Sequence, residues 1–505
     1  MVKLHALLQP YIPNGSDRFD AVKAAHLLNR AGFGGKPEEI EAIMELGPQR
    51  AVDALLDFPD ASADEQSKTD LPDLSSVGDD YPKTFEARRA LLVGKTEDER
   101  KAINQMLMLK NREAVAATLG WWLKRMSNAA YPLQEKLTLF WHGHFTTSAR
   151  DERSAAAMWQ QNETLRRNAA GNFRTFVKEI SHDPAMLDYL NNQQNFKQHP
   201  NENYARELME LFTLGIGNYT ENDIKQAARA FTGWGHNGEE FFFRRAQHDY
   251  GIKTFMGRSG NFDGDDIIDI ILQQPACAPY IAQRLLTFFV QDEPDPAICQ
   301  SLGAVLRENN YDLRPALTTM LTSKLFYSPS VIGAQIKSPI QLVIGTQRLL
   351  NVPQTNIAPV LVALEQMGQV PFAPPNVKGW PGGRTWINTS TLFVRYNTAL
   401  WLAGGGQPIQ GGRGELARFV AIRGAGRGPG GRGAFGMRGN SFNPRPEANS
   451  AEELVDTWIT RLIQRPIDDD RRKVLVDAVG DRYQSESTLR NLIQLIVSMP
   501  EYQLC

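Results

Sequence analysis

Residues 200–234 form the stretch that decides the fold class, PNENYARELMELFTLGIGNYTENDIKQAARAFTGW. The apolar residues Tyr204, Leu208, Leu211 and Phe212 recur at the spacing of one face of an α-helix. Two glycines follow closely, and glycine is typical of the positions just after a helix. The stretch therefore predicts a helix that buries one apolar face and ends before the glycines, with a second helix behind it.

The start of the second helix is marked by Thr220, which stands three residues before Asp223 in the arrangement of a capping box. The same helical period recurs elsewhere along the chain. Further helices are predicted at 133–141, 263–290, 311–327, 335–350, 451–464 and 487–498. The segment 263–290 contains Pro275 and is predicted to form two helices, because proline interrupts the helical hydrogen bonds.

Strand signals are sparse. Residues 239–257, EEFFFRRAQHDYGIKTFMG, combine the run Phe241 to Phe243 with turn residues and predict a small hairpin. The predicted fold class is therefore mainly α: a large multi-helical body with a small β-hairpin element and a flexible Gly/Arg-rich insertion.

Composition divides the chain into five parts. Residues 59–85 are rich in Asp, Ser and Pro, and residues 403–449 are rich in Gly and Arg, so both are predicted to be mobile insertions. The other parts are an N-terminal helical segment (1–58), the main helical body (86–402) and C-terminal helices that pack on that body (450–505).

Length and charge limit the possible classes of protein. The chain has 505 residues, well above the roughly 250–300 at which one hydrophobic core usually stops growing. It carries 55 basic and 57 acidic residues, a net charge of −2, which argues against a globally basic nucleic-acid binder. Three scattered cysteines are too few for a disulfide framework or a Cys-rich zinc site.

The N-terminal residues MVKLHALLQPYIPNGSD lack the long apolar region of a signal peptide, and no stretch approaches the length of a membrane span. The sequence as given therefore predicts a cytoplasmic protein without a membrane span. Export after removal of a signal is the alternative.

Residues 140–148, FWHGHFTTS, place His142 and His144 one residue apart. On an extended segment the two side chains would share a face and could bind one metal ion, whereas on an α-helix they would point in nearly opposite directions. We expect the preceding helix to end near Gly143, which would leave the pair on an extended exit. The alternative is that the two imidazoles only cap the end of that helix.

The helix of residues 200–234 also carries a polar stripe formed by Asn203, Arg206, Glu207 and Glu210. Two carboxylates one turn apart can bind a cation together or act as an acid and a base. A solvated face stabilised by internal ion pairs explains the same spacing.

A third group of polar residues comes from the predicted hairpin. His248 and its neighbour Asp249 could supply a ligand or a proton acceptor, and Lys253 could bind an anionic group. The same residues are ordinary components of a turn.

A fourth candidate is the stretch PPNVKGWPGGRTWINTSTLFVRYN, residues 374–397, which is punctuated by prolines and glycines. Loops of this kind often carry function. Trp380 and Trp386 could stack on a sugar or a base beside Arg384. Buried tryptophans would instead anchor the loop to the helical body.

Absent motifs narrow the chemistry. The chain has no GxxxxGK[ST], no GxGxxG after a strand, no HExxH, no CxxC and no GxSxG. The Gly/Arg-rich tract could bind single-stranded RNA, but few aromatic residues interrupt it and the whole chain is slightly acidic. Nucleic acid is therefore the least favoured partner.

Six motifs in order resemble the bacterial domain-of-unknown-function 1800 family (DUF1800), from about His26 to about Asn397 and on through the C-terminal helices. They are AHLLNRAGFGG, LFWHGHFTTS, DPAMLDYLNNQQN, PNENYARELMELFTLGIGNYTENDIKQAARAFTGW, HDYGIKTFMG and PPNVKGWPGG. The Gly/Arg-rich tract departs from the family pattern. The resemblance brings no established activity. It implies that the polar motifs are family hallmarks, that members often begin with an export signal, and that a protein of the domain-of-unknown-function 1501 family is a partner.

Two hypotheses follow. In the first, the chain is an enzyme, a metal-dependent hydrolase or oxidase, whose polar residues converge in one cleft. The proposed metal ligands are His142, His144, Glu207 and Glu210, with Glu207, Glu210 and His248 as catalytic groups. This mixed set of nitrogen and oxygen ligands suits Zn, Mn or Fe, and a metal-free acid/base pair of the two glutamates is the variant.

In this enzyme hypothesis the substrate is a small anionic or carbohydrate-like molecule. Its predicted binding residues are Asn203, Arg206, Lys253, Trp380, Arg384 and Trp386. In the second hypothesis the chain is a non-catalytic binding or assembly module that acts with a partner protein, and the polar residues form a buried network that fixes helix packing.

Overall fold

The architecture is taken from a computed structural model that describes residues 3–58, 71–78, 81–150, 154–352, 357–405, 444–445 and 447–505. Helices dominate these ranges, and only short strands interrupt them. The predicted mainly α fold class is confirmed.

The first half of the chain contains ten of the described helices. They are α1 (Ala21–Arg30), α2 (Pro37–Leu56), α3 (Phe85–Leu92), α4 (Glu97–Asn128), α5 (Pro132–His144), α6 (Ala155–Arg167), α7 (Phe173–Ser181), α8 (Pro184–Tyr189), α9 (Asn203–Glu207) and α10 (Glu221–Ala230). Helix α9 continues directly into a π-helical turn, Leu208–Thr213.

The second half contributes the remaining described helices. They are α11 (Gly264–Leu272), α12 (Cys277–Phe289), α13 (Pro296–Glu308), α14 (Leu313–Leu321), α15 (Pro339–Leu349), α16 (Ile357–Met367), α17 (Thr389–Leu402), α18 (Ala451–Leu462), α19 (Asp469–Val479) and α20 (Glu486–Val497). None of the helices in the described ranges is long and apolar enough to cross a membrane.

Two small antiparallel sheets lie between α10 and α11. Strand β1 (Trp234–His236) pairs with β2 (Phe241–Phe243), and β3 (Lys253–Phe255) pairs with β4 (Arg258–Gly260). The predicted hairpin at 239–257 is therefore replaced by two separate hairpins that share this region.

Side-chain caps explain where many helices begin. Asp20, Thr96, Ser154, Asn172 and Asp183 each accept a backbone N–H in the first turn of the helix that follows. Such caps satisfy amide groups that have no partner within the helix. The predicted capping box is also present, because Thr220 and Asp223 exchange hydrogen bonds at the start of α10.

Helix α5 lies between two apolar clusters. Leu133, Leu137 and Trp141 belong to a cluster that includes residues of α1, α2 and α7–α14. Leu139 belongs to a second cluster, which includes residues of α4 and α15–α20. A helix buried on nearly all sides must pair the polar side chains it carries, and α5 accordingly carries several of the buried polar contacts described below.

Some sequence predictions need correction. Helix α4 was not predicted as a separate element because its apolar residues do not form one buried face. Met106 and Met108 are exposed, whereas Leu119 and Trp122 are buried. The predicted loop 374–397 ends earlier than expected, because Asn388 caps α17.

The two predicted insertions are described only in part. Residues 59–70, 79–80, 406–443 and 446 lie outside the described residues, so the prediction that both insertions are mobile stays a prediction. Within the first insertion, Val77 is buried in the second cluster.

Candidate functional site

Three of the family-like motifs meet at the C-terminal end of α5. The backbone N–H of Phe372 donates a hydrogen bond to Nε2 of His142 over 2.9 Å, and the hydroxyl of Thr146 donates to the carbonyl of Val377. On the other side, the π-helical turn contacts α5 through Phe212. The motif LFWHGHFTTS therefore contacts both the stretch 200–234 and the motif PPNVKGWPGG.

His142 lies inside an aromatic cage. Its ring centroid is 5.5 Å from the rings of Trp122, Phe372 and Trp380. Burial lowers the pKa of His142 to about 3. Because Nε2 accepts the Phe372 N–H, the proton of the neutral ring is assigned to Nδ1.

His144 points away from His142, towards the π-helical turn. Its Nε2 lies 2.9 Å from the carbonyl oxygen of Phe212, so Nε2 carries the proton and donates it. Burial, reinforced by the positive charge of Arg284, lowers the pKa of His144 to about 3. The Nδ1 atom is buried and has no hydrogen-bond partner in the described part of the chain.

The predicted extended exit is wrong. Helix α5 continues through Gly143 to His144, so the two imidazoles diverge by roughly 200° as helical geometry requires. Gly143 lies inside the helix and does not end it, and the Trp380 ring packs beside it at an ordinary contact distance. The two histidines therefore cannot bind one metal ion as a pair.

Metal binding gains no support from this geometry. Within the residues that the structure describes, no group of three or more His, Cys, Asp or Glu side chains is placed to hold a metal ion. The proposed ligands His142 and His144 both use Nε2 in hydrogen bonds to the backbone.

The two glutamates lie where the helix changes character. Glu207 ends α9, and Glu210 sits on the π-helical turn. Glu210 accepts a hydrogen bond from the hydroxyl of Tyr219 over 2.8 Å. Turns of the π type are rare in proteins and often occur at functional sites.

Glu207 is half-buried and electrostatically unusual. Burial raises its pKa, and the negative charge of Glu210 adds to the shift. The positive charges of Arg206 and Lys378 oppose that shift without cancelling it. Two carboxyl groups whose surroundings differ in this way are a recognised pattern of acid and base pairs.

Tyr280 lies near Glu210 as well, and Arg284 lies near Tyr280. The hydroxyl of Tyr280 donates to the carbonyl of Leu211 over 2.7 Å. Burial raises the pKa of Tyr280; the positive charge of Arg284 opposes that shift and the charge of Glu210 adds to it. Nε of Arg284 is buried and finds no acceptor among the described residues.

Two predicted substrate-binding residues already have partners. Arg206 forms a two-point contact with Glu221, with distances of 2.9 and 2.8 Å, which raises the pKa of Arg206. Asn203 donates its side-chain amide to the carbonyl of Leu190 over 3.1 Å. The contact of Arg206 ties α9 to the first residue of α10, and the contact of Asn203 fixes the start of α9.

The residues predicted from the hairpin lie in the strand region and bind the backbone. Nδ1 of His248 donates to the carbonyl of Thr232 over 2.8 Å, and burial lowers the pKa of His248. Lys253 is buried, and its ammonium group donates to the carbonyls of Asp249 and Gly251. These contacts hold the hairpins in place.

The two predicted tryptophans serve mainly as packing residues. Trp386 is 6% exposed, whereas Trp380 is half-buried and packs on His142 and Gly143. Arg384 lies exposed in the same loop.

Gly379 holds this loop against α5, and its substitution makes a testable prediction. Its φ is +78°, and an added Cβ would overlap the carbonyl oxygen of Gly143. We expect Gly379→Ala to lower the free energy of unfolding by about 1–3 kcal/mol more than Gly382→Ala. Gly382 is a matched control, because its φ is +73° and nothing lies within 4 Å of its added Cβ.

Urea unfolding of both variants measures the difference. Equal losses would mean that only the backbone conformation matters and that the loop does not press against α5.

Sequence reasoning missed the groups that surround the glutamates. Tyr219 and Lys378 lie inside quoted motifs but were not singled out, although a tyrosine and a lysine there are chemically capable. Tyr280 and Arg284 come from α12, far along the chain, and only the folded structure brings them to Glu210 and His144.

The fold and this site define a helical protein with a half-buried glutamate pair. A comparison with known families matches residues 26–504 to the family described as "Protein of unknown function (DUF1800)". Because the match spans nearly the whole chain, the protein belongs to this family, and the resemblance seen in the motifs is confirmed. No curated protein and no solved structure matches the chain.

Proposed function

We propose that the protein is an enzyme in which Glu207 and Glu210 act as an acid and a base in hydrolysis. The observation that carries this proposal is the raised pKa of Glu207, caused by burial and by the neighbouring charge of Glu210. A carboxyl group that keeps its proton nearer to neutral pH can donate it to a leaving group.

The surroundings of Glu210 suit the role of the base, because its carboxylate accepts a hydrogen bond from Tyr219. Burial raises the pKa of Tyr219 to about 12, and the hydrogen bond to Glu210 and the negative charge of Glu210 add to this shift. Tyr219 therefore keeps its proton and remains a hydrogen-bond donor at neutral pH. A carboxylate held by such a donor is oriented as a base. In the proposed step, Glu210 removes a proton from water, the water oxygen bonds to the substrate, and Glu207 protonates the departing group.

The charges around the pair indicate a substrate class. Lys378 is exposed and lies close enough to Glu207 to affect its pKa, and Arg284 lies near Tyr280, whose pKa also responds to the charge of Glu210. Two cations beside the reacting groups would attract and orient an anion. Of the two predicted classes, anionic and carbohydrate-like, these charges favour the anionic one.

A screen of chromogenic esters, phosphoesters and glycosides tests the proposal. We expect Glu207→Gln and Glu210→Gln each to reduce the turnover of any substrate found by roughly a hundredfold or more. Glu221→Gln is the control, because Glu221 is an exposed glutamate that pairs with Arg206 at the start of α10 and has no assigned part in the reaction. The rate should fall as pH rises through the raised pKa of Glu207, because the acid then loses its proton.

Turnover that survives both glutamine variants would contradict the acid/base role. Turnover lost equally in Glu221→Gln would indicate a general effect on folding. Circular dichroism of all three variants separates these outcomes.

A binding or assembly module remains the second candidate, and one observation favours it. The hallmark residues His142, His144, Asn203, His248 and Lys253 all bind backbone groups. A module of this kind would bind a partner without turnover. The predicted partner of the domain-of-unknown-function 1501 family could be tested by co-purification with the Glu207→Gln variant, which should leave such binding intact.

A further inference from the structure

A cavity of about 990 Å³ lies between α4, α6, α8 and the first hairpin. Its volume falls at the upper end of the range of about 300–1,000 Å³ that is typical of small-molecule sites. Neither Glu207 nor Glu210 lines it, so it is separate from the proposed acid/base pair. None of the side chains predicted as functional from the sequence lines it either.

The most defined polar group in the cavity wall is His236. Its Nδ1 accepts the N–H of Gly238 over 3.1 Å, so the proton of the neutral ring is assigned to Nε2. That Nε2 lies 3.0 Å from Oδ1 of Asp188, without the alignment of a hydrogen bond. Gln193 fixes the backbone of His236 through two hydrogen bonds.

Aromatic side chains supply the apolar part of the wall. Phe85 is 48% exposed, and its ring lies 5.1 Å from that of His236. Trp159 also lines the cavity, and its indole N–H is buried without a hydrogen-bond partner among the described residues. An unpaired buried donor is costly unless a ligand or solvent satisfies it.

The charges of the lining cancel. Lys83 and Arg88 are balanced by Asp188 and Glu239. Side-chain amides complete the polar surface: Asn111, Gln160, Asn191 and Gln194. A polyanion would find no excess of positive charge here, whereas a neutral ligand with many hydroxyl groups would find both donors and acceptors.

We propose that this cavity binds a neutral carbohydrate. The rings of Phe85 and Trp159 contact the apolar face of a sugar ring, while Asp188 and the Nε2–H of His236 bind its hydroxyl groups. This site has its own set of residues and does not depend on the chemistry at Glu207. It is distinct from the predicted sugar-stacking role of Trp380 and Trp386, which do not line this cavity and whose role stays a prediction.

Calorimetric titration of the full chain with cellohexaose, maltohexaose, xylohexaose and chitohexaose tests the proposal. We expect at least one of these neutral oligosaccharides to bind at about 1 mM or below. Asp188→Asn and Trp159→Phe should each weaken that binding roughly threefold to tenfold, because the first replaces a charged acceptor by a neutral amide and the second removes the indole N–H donor. Trp159→Phe keeps an aromatic ring in the wall, which protects the fold.

Phe393→Ala is the control, because Phe393 is 70% exposed and lies on α17 outside the cavity. Unchanged binding in Phe393→Ala, with weakened binding in the two cavity variants, supports the proposal. Failure of all four oligosaccharides to bind the unaltered chain would overturn it. Equal binding in the cavity variants, or tighter binding of a heparin hexasaccharide, would overturn it as well.

Discussion

We expect Glu135→Gln to lower the free energy of unfolding at pH 7 by about 3–5 kcal/mol, the usual cost of breaking a buried ion pair. Glu135 is 1% exposed on α5. Its carboxylate accepts hydrogen bonds from Arg125 on α4 over 2.6 Å and from Arg166 on α6 over 2.7 and 3.0 Å. Trp122 donates a fourth bond over 2.9 Å.

The effect is large because the substitution leaves buried positive charge behind. Arg166 keeps contacts to Glu163 and Asn162, but it loses the carboxylate that ties α6 to α5. Glutamine has nearly the same shape, so the loss reports the charge and its hydrogen bonds. An apolar replacement of the whole group would be a different experiment, because it would also remove the cations.

The same group contributes to acid sensitivity. Burial alone would raise the pKa of Glu135, but Arg166 and then Arg125 outweigh it and lower that pKa to about 2. A lowered carboxyl pKa stabilises the fold above the unfolded value of 4.5, and the contribution is lost as pH falls from there towards 2. The variant should therefore lose less stability than the unaltered chain over that interval.

Urea unfolding at pH 7 and at pH 3 measures both effects. Glu97→Gln is the control, because Glu97 pairs with Lys101 on the surface of α4 and is 84% exposed. Its cost should stay below about 0.5 kcal/mol. A loss at Glu135 as small as that of the control would contradict the structural role of the network.

Local periodicity predicted most of the fold because helices depend on short-range spacing. Tyr204, Leu208 and Phe212 are buried along one face as expected, and Pro275 separates α11 from α12. The π-helical turn could not be predicted in this way. The spacing of its apolar residues also fits an ordinary α-helix. The π-helical turn makes contacts with residues that are distant in sequence, such as the hydrogen bond from Tyr280 to Leu211, and these cannot be read from local spacing.

From the sequence, only those site residues could be predicted that lie close together within one motif. Glu207 and Glu210 were found because one helical turn separates them. His236 and Asp188 were missed because Asp188 lies within a motif and His236 lies outside all of them, and the two residues meet only through the packing of β1 against α8. The expected helix end at Gly143 was wrong because glycine is common after helices but can also lie within one, as it does here.

We expect the second large effect from Asp183, which caps α8. Burial raises the pKa of Asp183 to about 7, against the opposing hydrogen bonds from Met186 and Gln161. The unfolded value is 3.8, so the native state binds more protons than the unfolded state between these pH values. Stability should therefore fall as pH rises through this interval, by about 4 kcal/mol at most.

Asp183→Asn should remove this slope and leave the protein more stable than the unaltered chain at pH 8. Asparagine caps helices as well as aspartate does, and its carbonyl oxygen can accept both hydrogen bonds. The control is Asp295→Asn, because Asp295 also caps a helix in front of a proline but is exposed. Its substitution should change stability by less than about 0.5 kcal/mol at any pH in the interval.

The comparison of the two variants across pH 4 to 8 separates capping from ionisation. Both lose a carboxylate at the same helix position, so a shared effect would come from capping and a difference from burial. Parallel unfolding curves for Asp183→Asn and the unaltered chain would contradict the raised pKa. If the dependence of stability on pH disappears only in Asp183→Asn, protonation of Asp183 stabilises the start of α8 at mildly acidic pH. The same helix carries Asp188, which lines the cavity.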